Sequence, residues 1–279
     1  MVMFSETQRN RLTELGLKQD MLQVRFGTVE EREAEYQRME KARIAENRIK
    51  IKRLTEEVHQ PKLCGLQHDI EQSLYDRGFT QVSTPTILSR KFLERMSIDG
   101  THPLNEQVFW LDGKSCLRPM LAPNLYEVSK KMMNYSKMPL RLFEIGSCFR
   151  KETEGKSHLK EFTMLNLVEW GTPAGEREER LKELARTVLE AARINDFSFE
   201  YDDSVIYGRG MDVISGNGQE LASTSMGPHP LDAAWRITCS WVGLGFGLER
   251  LLMVREGEEG IHRYSRSITY QDGAVLNIK

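Results

Sequence analysis

Two stretches of the chain carry residue types suited to holding a phosphorylated nucleotide. The first, RLFEIGSCFRKETEGKSHLKEFTMLNLVEWG, occupies residues 141–171. It reads as two strands, 141–150 and 161–170, around a polar loop with Glu152, Glu154, Gly155, Lys156 and His158. Arg150 falls at a strand end, so its guanidinium is held in place, and a fixed planar fork suits bidentate contact with phosphate or carboxylate. Phe162, on the returning arm, offers an aromatic face for a nucleobase. A charged hairpin tip over a core phenylalanine fits the same residues. The second stretch is Gly243-x-Gly245-x-Gly247-Leu248-Glu249-Arg250. Glycines at alternate strand positions strip one face bare, so a flat ligand can lie against the backbone. Arg250 emerges in the first turn of the following helix, where the dipole disfavours a cation, so an anionic or π partner is expected for it. The spacing is not that of a dinucleotide-binding fingerprint, and close packing is the plain alternative for the glycines.

Alternation along 161–170 places Met164, Asn166 and Val168 on one face and Leu165, Leu167 and Glu169 on the other. Asn166 is then an amide among apolar neighbours and needs a partner. Local backbone and a ligand are both candidates.

These residues need a rigid frame. Leu63, Leu66, Ile70 and Leu74 recur at helical spacing, with Gly78 as the stop. Residues 79–83 alternate as a strand ended by Pro85. Val108–Leu111 and Lys114–Leu117 flank Asp112-Gly113, a hairpin signal. Leu181, Leu184, Val188 and Leu189 mark an amphipathic helix over about 176–193. Met211–Ile214 and Glu220–Ser223 bracket the turn Ser215-Gly216-Asn217-Gly218, and residues 241–247 form a strand running into a helix at Leu248. Hairpins dominate and βαβ alternation is absent, which predicts an α+β fold: an antiparallel sheet with helices packed on it.

Residues 1–60 have a different texture. They contain no proline and two glycines, Gly16 and Gly27. Ser5-Glu6-Thr7-Gln8 and Thr28-Val29-Glu30-Glu31 read as capping boxes, the second opening a long helix through about Glu57. That helix is acidic first. From Lys41 to Arg53 it carries six basic residues (Lys41, Arg43, Arg48, Lys50, Lys52 and Arg53) against one acid, Glu46. Acid early and base late suits the helix dipole; a contact with an RNA backbone explains the same pattern. The expected division is therefore a helical extension over 1–60 and a larger domain over 61–279.

Composition narrows the classes. The chain has 279 residues and a formal net charge of −2, so any polyanion-binding surface must be local. No apolar run approaches the roughly 20 residues needed to span a bilayer, and the first residues lack the pattern of a signal peptide. A cytoplasmic protein without membrane partners is expected. Cys64, Cys116, Cys148 and Cys239 lie too far apart for a CxxC half-site, so reduced thiols and no zinc are expected.

Three motifs occur in order: Gly78-Phe79 to Pro85, Phe149-Arg150-Lys151-Glu152, and Gly243-Leu244-Gly245-Phe246-Gly247-Leu248-Glu249-Arg250. Together they resemble the three motifs of class II aminoacyl-tRNA synthetases: a helix and strand ending in proline, (F/Y)RxE between strands, and GxGxGxER. Leu117-Arg118-Pro119-Met120-Leu121-Ala122-Pro123-Asn124-Leu125-Tyr126 and Glu161-Phe162-Thr163-Met164-Leu165-Asn166 resemble the pyrrolysyl-tRNA synthetase family in particular. Residues 62–279 carry this resemblance. Residues 1–60 resemble the extension of the short members, which lack a separate N-terminal tRNA-binding domain.

The resemblance implies a class II catalytic fold, ATP and Mg²⁺, a pyrrolysine-like amino acid, a cognate amber-suppressor tRNA and a homodimer. It assigns Arg150 to the α-phosphate and the substrate carboxylate. Glu152, His158 and Phe162 go to the nucleotide, and Arg250 to the adenine face and γ-phosphate. Glu220 and Ser223 go to Mg²⁺, although strict alternation puts them on opposite faces, so a bulge, a metal-bridging water or a backbone-level contact is required. The amino-acid pocket takes Ala122, Leu125, Tyr126, Ser129, Asn166, Val168, Tyr207, Ser225, Trp241 and Gly243. Ser129, Thr224 and Ser225 stand where bulkier or more apolar residues are expected, and Val168 where a cysteine is common. Another class II synthetase, an adenylate-forming ligase and a non-catalytic synthetase-like RNA-binding subunit are the competing readings.

Overall fold

The structure, a computed structural model, describes residues 1–151, 159–204 and 208–278. In chain order the elements are α1 (Glu6–Glu14), α2 (Val29–Glu56), α3 (Lys62–Tyr75), β1 (Thr80–Gln81), β2 (Ile87–Ser89), α4 (Arg90–Glu94), α5 (Pro103–Gln107), β3 (Ser115–Leu117), α6 (Ala122–Met133), β4 (Leu140–Phe149), β5 (Glu161–Trp170), α7 (Arg177–Ala191), β6 (Phe197–Ser204), β7 (Gly208–Ser215), β8 (Glu220–Gly227), α8 (Asp232–Trp235), β9 (Trp241–Gly247), α9 (Leu248–Arg255), β10 (Tyr270–Gln271) and β11 (Ala274–Val275). They form two compact units, Met1–Lys62 with His262–Lys279, and Leu63–Ile261. No helix among the described residues is long and apolar enough to cross a membrane.

In the first unit both capping boxes are present. Ser5 and Gln8 cap α1 reciprocally, as do Thr28 and Glu31 for α2. Phe4, Leu12, Leu17, Leu22 and Phe26 form a small core against Tyr36 and Met39. Asn47, buried in the middle of α2, donates to the carbonyls of Leu15 and Arg43 and accepts from the Val275 N–H at 2.8 Å. One amide thus ties α2 to the end of α1 and to the β10–β11 hairpin. The C-terminal residues therefore belong with the N-terminal helices, a pairing across more than two hundred positions (Asn47 to Val275) that a division at residue 60 leaves out.

The second unit is built on a seven-stranded sheet in the order β1-β4-β5-β9-β8-β7-β6. The α+β fold is as expected, but the sheet is mixed rather than wholly antiparallel: β1 pairs parallel with β4, Thr80 opposite Leu142. Only two of the five residues read as a strand over 79–83 join this ladder, and the crossover from β1 to β4 contains β2, β3 and three helices. The hairpin expected around Asp112-Gly113 is present: Trp110 bridges antiparallel to Cys116, the Leu117 N–H donates to the Phe109 carbonyl, and the Asp112 carboxylate accepts from the Lys114 and Ser115 N–H groups in the turn. Its second arm, β3, takes β2 as ladder partner. Leu66, Ile70 and Leu74 of α3 are buried, and Gly78 closes the segment at φ 74°, a conformation that strains any side chain.

The two faces of the sheet differ. Leu165, Leu167, Val242, Leu244 and Phe246 are buried on one. That side packs against α7 and α9, with Leu181, Leu184, Val188 and Leu189 of α7 buried as the spacing predicted. Burying each such leucine contributes about 1.5–3 kcal/mol. The other face carries the candidate site.

Candidate active site

Register places the important residues in rows across that other face. Asn166 of β5 lies opposite Gly245 of β9, which lies opposite Ser223 of β8; Val168, Gly243 and Ser225 form the next row. Residues directly opposite one another point to the same side of a sheet. Phe162, Met164, Asn166, Val168 and Trp170 therefore share a face with the three glycines, Trp241 and Ser225. The bare strip is real: a Cβ on Gly245 would sit 2.8 Å from the Met164 methyl carbon.

A cavity of about 310 Å³ opens over one end of the strip, lined among others by Arg150, Phe162, Met164, Glu220, Ser223 and Arg250. Arg150 reaches it from the end of β4. Its Nε donates to the Pro119 carbonyl at 2.9 Å and its guanidinium lies 5.3 Å from the Phe162 ring centroid. Pro119 is itself fixed. Its neighbour Arg118, 4% exposed, pairs with buried Glu144 at 2.7 Å and donates through Nε to the Ser147 carbonyl. Glu144 also accepts from the N–H and hydroxyl of Thr84. Gly146 leaves room for this guanidinium, which any Cβ there would strike.

Arg250 enters from the first turn of α9. Its Nη1 donates to the Glu220 carbonyl at 3.1 Å and lies 3.8 Å from Glu220 Oε1. Its Nε is buried and has no hydrogen-bond partner among the described residues. A buried donor without a partner costs about 1–3 kcal/mol, so this atom is ready for an acceptor that arrives with a ligand. Glu249, beside it, is 1% exposed and accepts the Thr163 N–H at 2.9 Å with both oxygens, so it fastens α9 to β5.

Glu220 and Ser223 do meet, the Ser223 hydroxyl donating to Glu220 Oε1 at 3.0 Å. The register between β7 and β8 explains how. Val213 pairs with Ala222 but Ile214 pairs with Glu220, so Leu221 is an extra residue and the side-chain parity flips there. Two oxygen donors of this kind suit a hard cation that keeps most of its shell for phosphate and water. Among the described residues no group of three His, Cys, Asp or Glu could hold a metal by itself.

At the other end of the strip, Leu125, Tyr126 and Val168 sit with Trp170, Trp235 and Trp241 in one buried cluster, and Ala122 and Met164 pack against it. Asp232 underlies it: Tyr126 Oη donates to Oδ1 at 3.0 Å, and Trp241 Nε1 donates to Oδ2 at 2.8 Å. Asn166 is half-buried and gives one N–H to the Leu244 carbonyl at 2.8 Å, the local-backbone pairing considered from the sequence. Ser129 is buried and accepts from Trp170 Nε1 at 2.8 Å, which gives its hydroxyl a structural partner. Thr224, expected beside the pocket, lies on the opposite face and accepts from the Met211 N–H. Burial pushes the Cys148 thiol, on β4, up to about 12, so it is no nucleophile. Glu152, His158 and Tyr207 lie outside the described residues.

Asp232, Glu144 and Arg118 do not stand out in the sequence as contributors to the site. Arg118 pairs with Glu144 across 26 positions and Tyr126 reaches Asp232 across 106, so no local pattern announces these contacts.

The family of tRNA synthetases class II core domain (F) matches residues 47–272. A crystal structure of pyrrolysyl-tRNA synthetase from Desulfitobacterium hafniense superposes with TM-score 0.93 at 46% identity, covering 99% of this chain and 99% of that one. A second structure of that organism's pyrrolysyl-tRNA synthetase gives TM-score 0.91, also at 46% identity, over 99% of this chain and 95% of that one. Among curated relatives, the threonine–tRNA ligase of Halorhodospira halophila is 26% identical over 178 residues, 60% of this chain. That of Treponema pallidum (strain Nichols) is 30% identical over 95 residues, 33% of this chain. The chain spans only 27% and 16% of those two ligases.

Proposed function

The chain belongs to the class II aminoacyl-tRNA synthetases, in the pyrrolysyl-tRNA synthetase family, and from that premise we propose that it activates pyrrolysine, or a related N-ε-acyl-lysine, with ATP and passes it to the 3′ end of a cognate amber-suppressor tRNA. The observation that carries this reading is the pair Arg150 and Arg250 on one cavity with Phe162, over a glycine strip that leads to a buried aromatic pocket.

The amino-acid carboxylate is the nucleophile in the first step and is ionised near neutral pH, so no protein base is required. Its oxygen bonds to the α-phosphorus as the bond to pyrophosphate breaks. Arg150 draws carboxylate and α-phosphate together and offsets the charge between them. Such transfer depends on positioning and charge stabilisation. Arg250 takes the γ-phosphate side, giving its buried Nε an acceptor, and adenine lies between Phe162 and the Arg250 guanidinium. Glu220 and Ser223 would hold Mg²⁺. The ion, when bound, supplies charge neutralisation across the phosphates. In the second step a ribose hydroxyl of the tRNA end attacks the carbonyl carbon, its proton passes to the departing phosphate, and AMP leaves with the electron pair.

The amino-acid chain runs along Gly245 and Gly243 toward Ala122, Val168 and Trp241, with Asn166 beside the substrate's side-chain amide. The exposed bases of α2 contact tRNA. The protein forms a symmetric homodimer through residues 62–85, where β1 is a sheet edge and Tyr75 is 43% exposed. Sedimentation velocity at two concentrations tests the dimer; a monomer at both removes it. A cytoplasmic location belongs to the same reading. ATP–pyrophosphate exchange with pyrrolysine against the twenty standard amino acids tests the whole. Exchange is expected with pyrrolysine, and exchange with a standard amino acid instead would overturn the substrate assignment.

A further inference from the structure

Asp232 is 3% exposed. A carboxylate at that depth is retained only where its oxygens are satisfied. Oδ1 accepts from Tyr126 Oη; Oδ2 accepts from Trp241 Nε1 at 2.8 Å and from the His229 N–H at 2.7 Å. Tyr126 comes from α6 and Trp241 from β9, so one carboxylate joins the two walls of the aromatic pocket. The rings lock further. Tyr126 stacks on Trp235 at 5.3 Å and meets Trp241 edge-on at 5.9 Å. Gly227 is needed beneath Trp241, because any Cβ there would collide with the indole.

We propose that Asp232 is a positioning residue for amino-acid selection: it fixes the Tyr126 and Trp241 rings, and through them the depth of the pocket that receives the substrate side chain. This rests on the reading of the pocket given above. Both Asp232 oxygens are taken by protein donors, and Asp232 does not line the cavity that holds Arg150 and Arg250.

The test compares Asp232→Ala, Asp232→Asn and Tyr126→Phe in the full chain. Asp232→Ala should raise the KM for the amino acid on the order of ten- to a hundredfold in pyrophosphate exchange and leave the KM for ATP within about twofold. Asp232→Asn should stay close to wild type, because its amide can accept from Trp241 and donate to Tyr126 Oη. Near-ultraviolet circular dichroism of the substrate-free proteins should change for Asp232→Ala and not for Asp232→Asn. Should Asp232→Ala fail to fold, Tyr126→Phe decides: it removes the Oδ1 bond alone and should raise the amino-acid KM several-fold. An unchanged amino-acid KM in Asp232→Ala, or in Tyr126→Phe where the alanine variant does not fold, overturns the proposal. So does a loss in Asp232→Asn that moves both KM values together with the melting temperature. If wild-type protein activates no acyl-lysine, the functional reading fails, and the aromatic dichroism still decides whether Asp232 holds the two rings.

Discussion

Glu220 and Ser223 touch at 3.0 Å although three positions separate them on a strand. Regular alternation would send them to opposite faces, and the extra residue Leu221 restores them to one. The bulge therefore builds a two-oxygen site from a segment that looks unsuited to one. If the pair holds Mg²⁺, Glu220→Gln and Ser223→Ala should each raise the Mg²⁺ concentration for half-maximal exchange by about tenfold. A magnesium titration measures this, and curves that overlay wild type would remove the pair from the metal site.

Arg150→Ala should reduce pyrophosphate exchange on the order of 10²–10³-fold or more. Its guanidinium lines the open cavity rather than the core, so the melting temperature should change little. Arg150→Lys should rescue little, since an ammonium lacks the fork that spans carboxylate and phosphate. Near-normal exchange in Arg150→Ala would exclude it from the adenylate step.

Asn166 should select for a substrate amide. Its bond to the Leu244 carbonyl orients the group and commits one N–H. A site built to hydrogen-bond strongly rejects analogues that lack the partner. Asn166→Ala should lose pyrrolysine-like substrates and admit bulky aromatic amino acids, as measured by exchange across a substrate panel. An unchanged ranking would leave Asn166 with its backbone bond alone.

Much of this was legible because it is written locally. The capping boxes of α1 and α2, the β4–β5 hairpin that carries Arg150, and the glycine strand before Arg250 each lie within a window of about ten to thirty residues whose spacing fixes them. What the sequence hid depends on distant partners. Thr80 and Gln81 find Leu142 and Phe143 only after a crossover of some sixty residues. Ser129 reads as a pocket position, yet its hydroxyl serves the buried Trp170 indole forty-one residues on. The C-terminal hairpin joins the N-terminal helices through Asn47, an amide in the middle of a charged helix whose neighbours give no hint of burial.

The same helix supplies the last test. Lys41, Arg48, Lys50, Lys52 and Arg53 of α2 are exposed, whereas Arg43 is half-buried and paired with Glu46 at 2.6 Å. Asn47 faces the unit's interior, so the basic side chains around it point mostly outward to solvent. A dipole-matched helix needs bases near its C-terminus only, because the effect fades within the last turn. Here the excess begins some four turns earlier, which a phosphate backbone would explain and the dipole would not. Each RNA phosphate that is no longer neutralised should lower the slope of log affinity against log salt by about 0.7–0.9. Changing Arg48, Lys50, Lys52 and Arg53 together to Gln should therefore weaken tRNA binding and flatten its salt dependence. Exchange should persist, because the cavity proposed for the nucleotide is lined entirely by residues of the other unit. If affinity and slope both survive the quadruple change, α2 is a solvated helix and recognition falls to the catalytic unit.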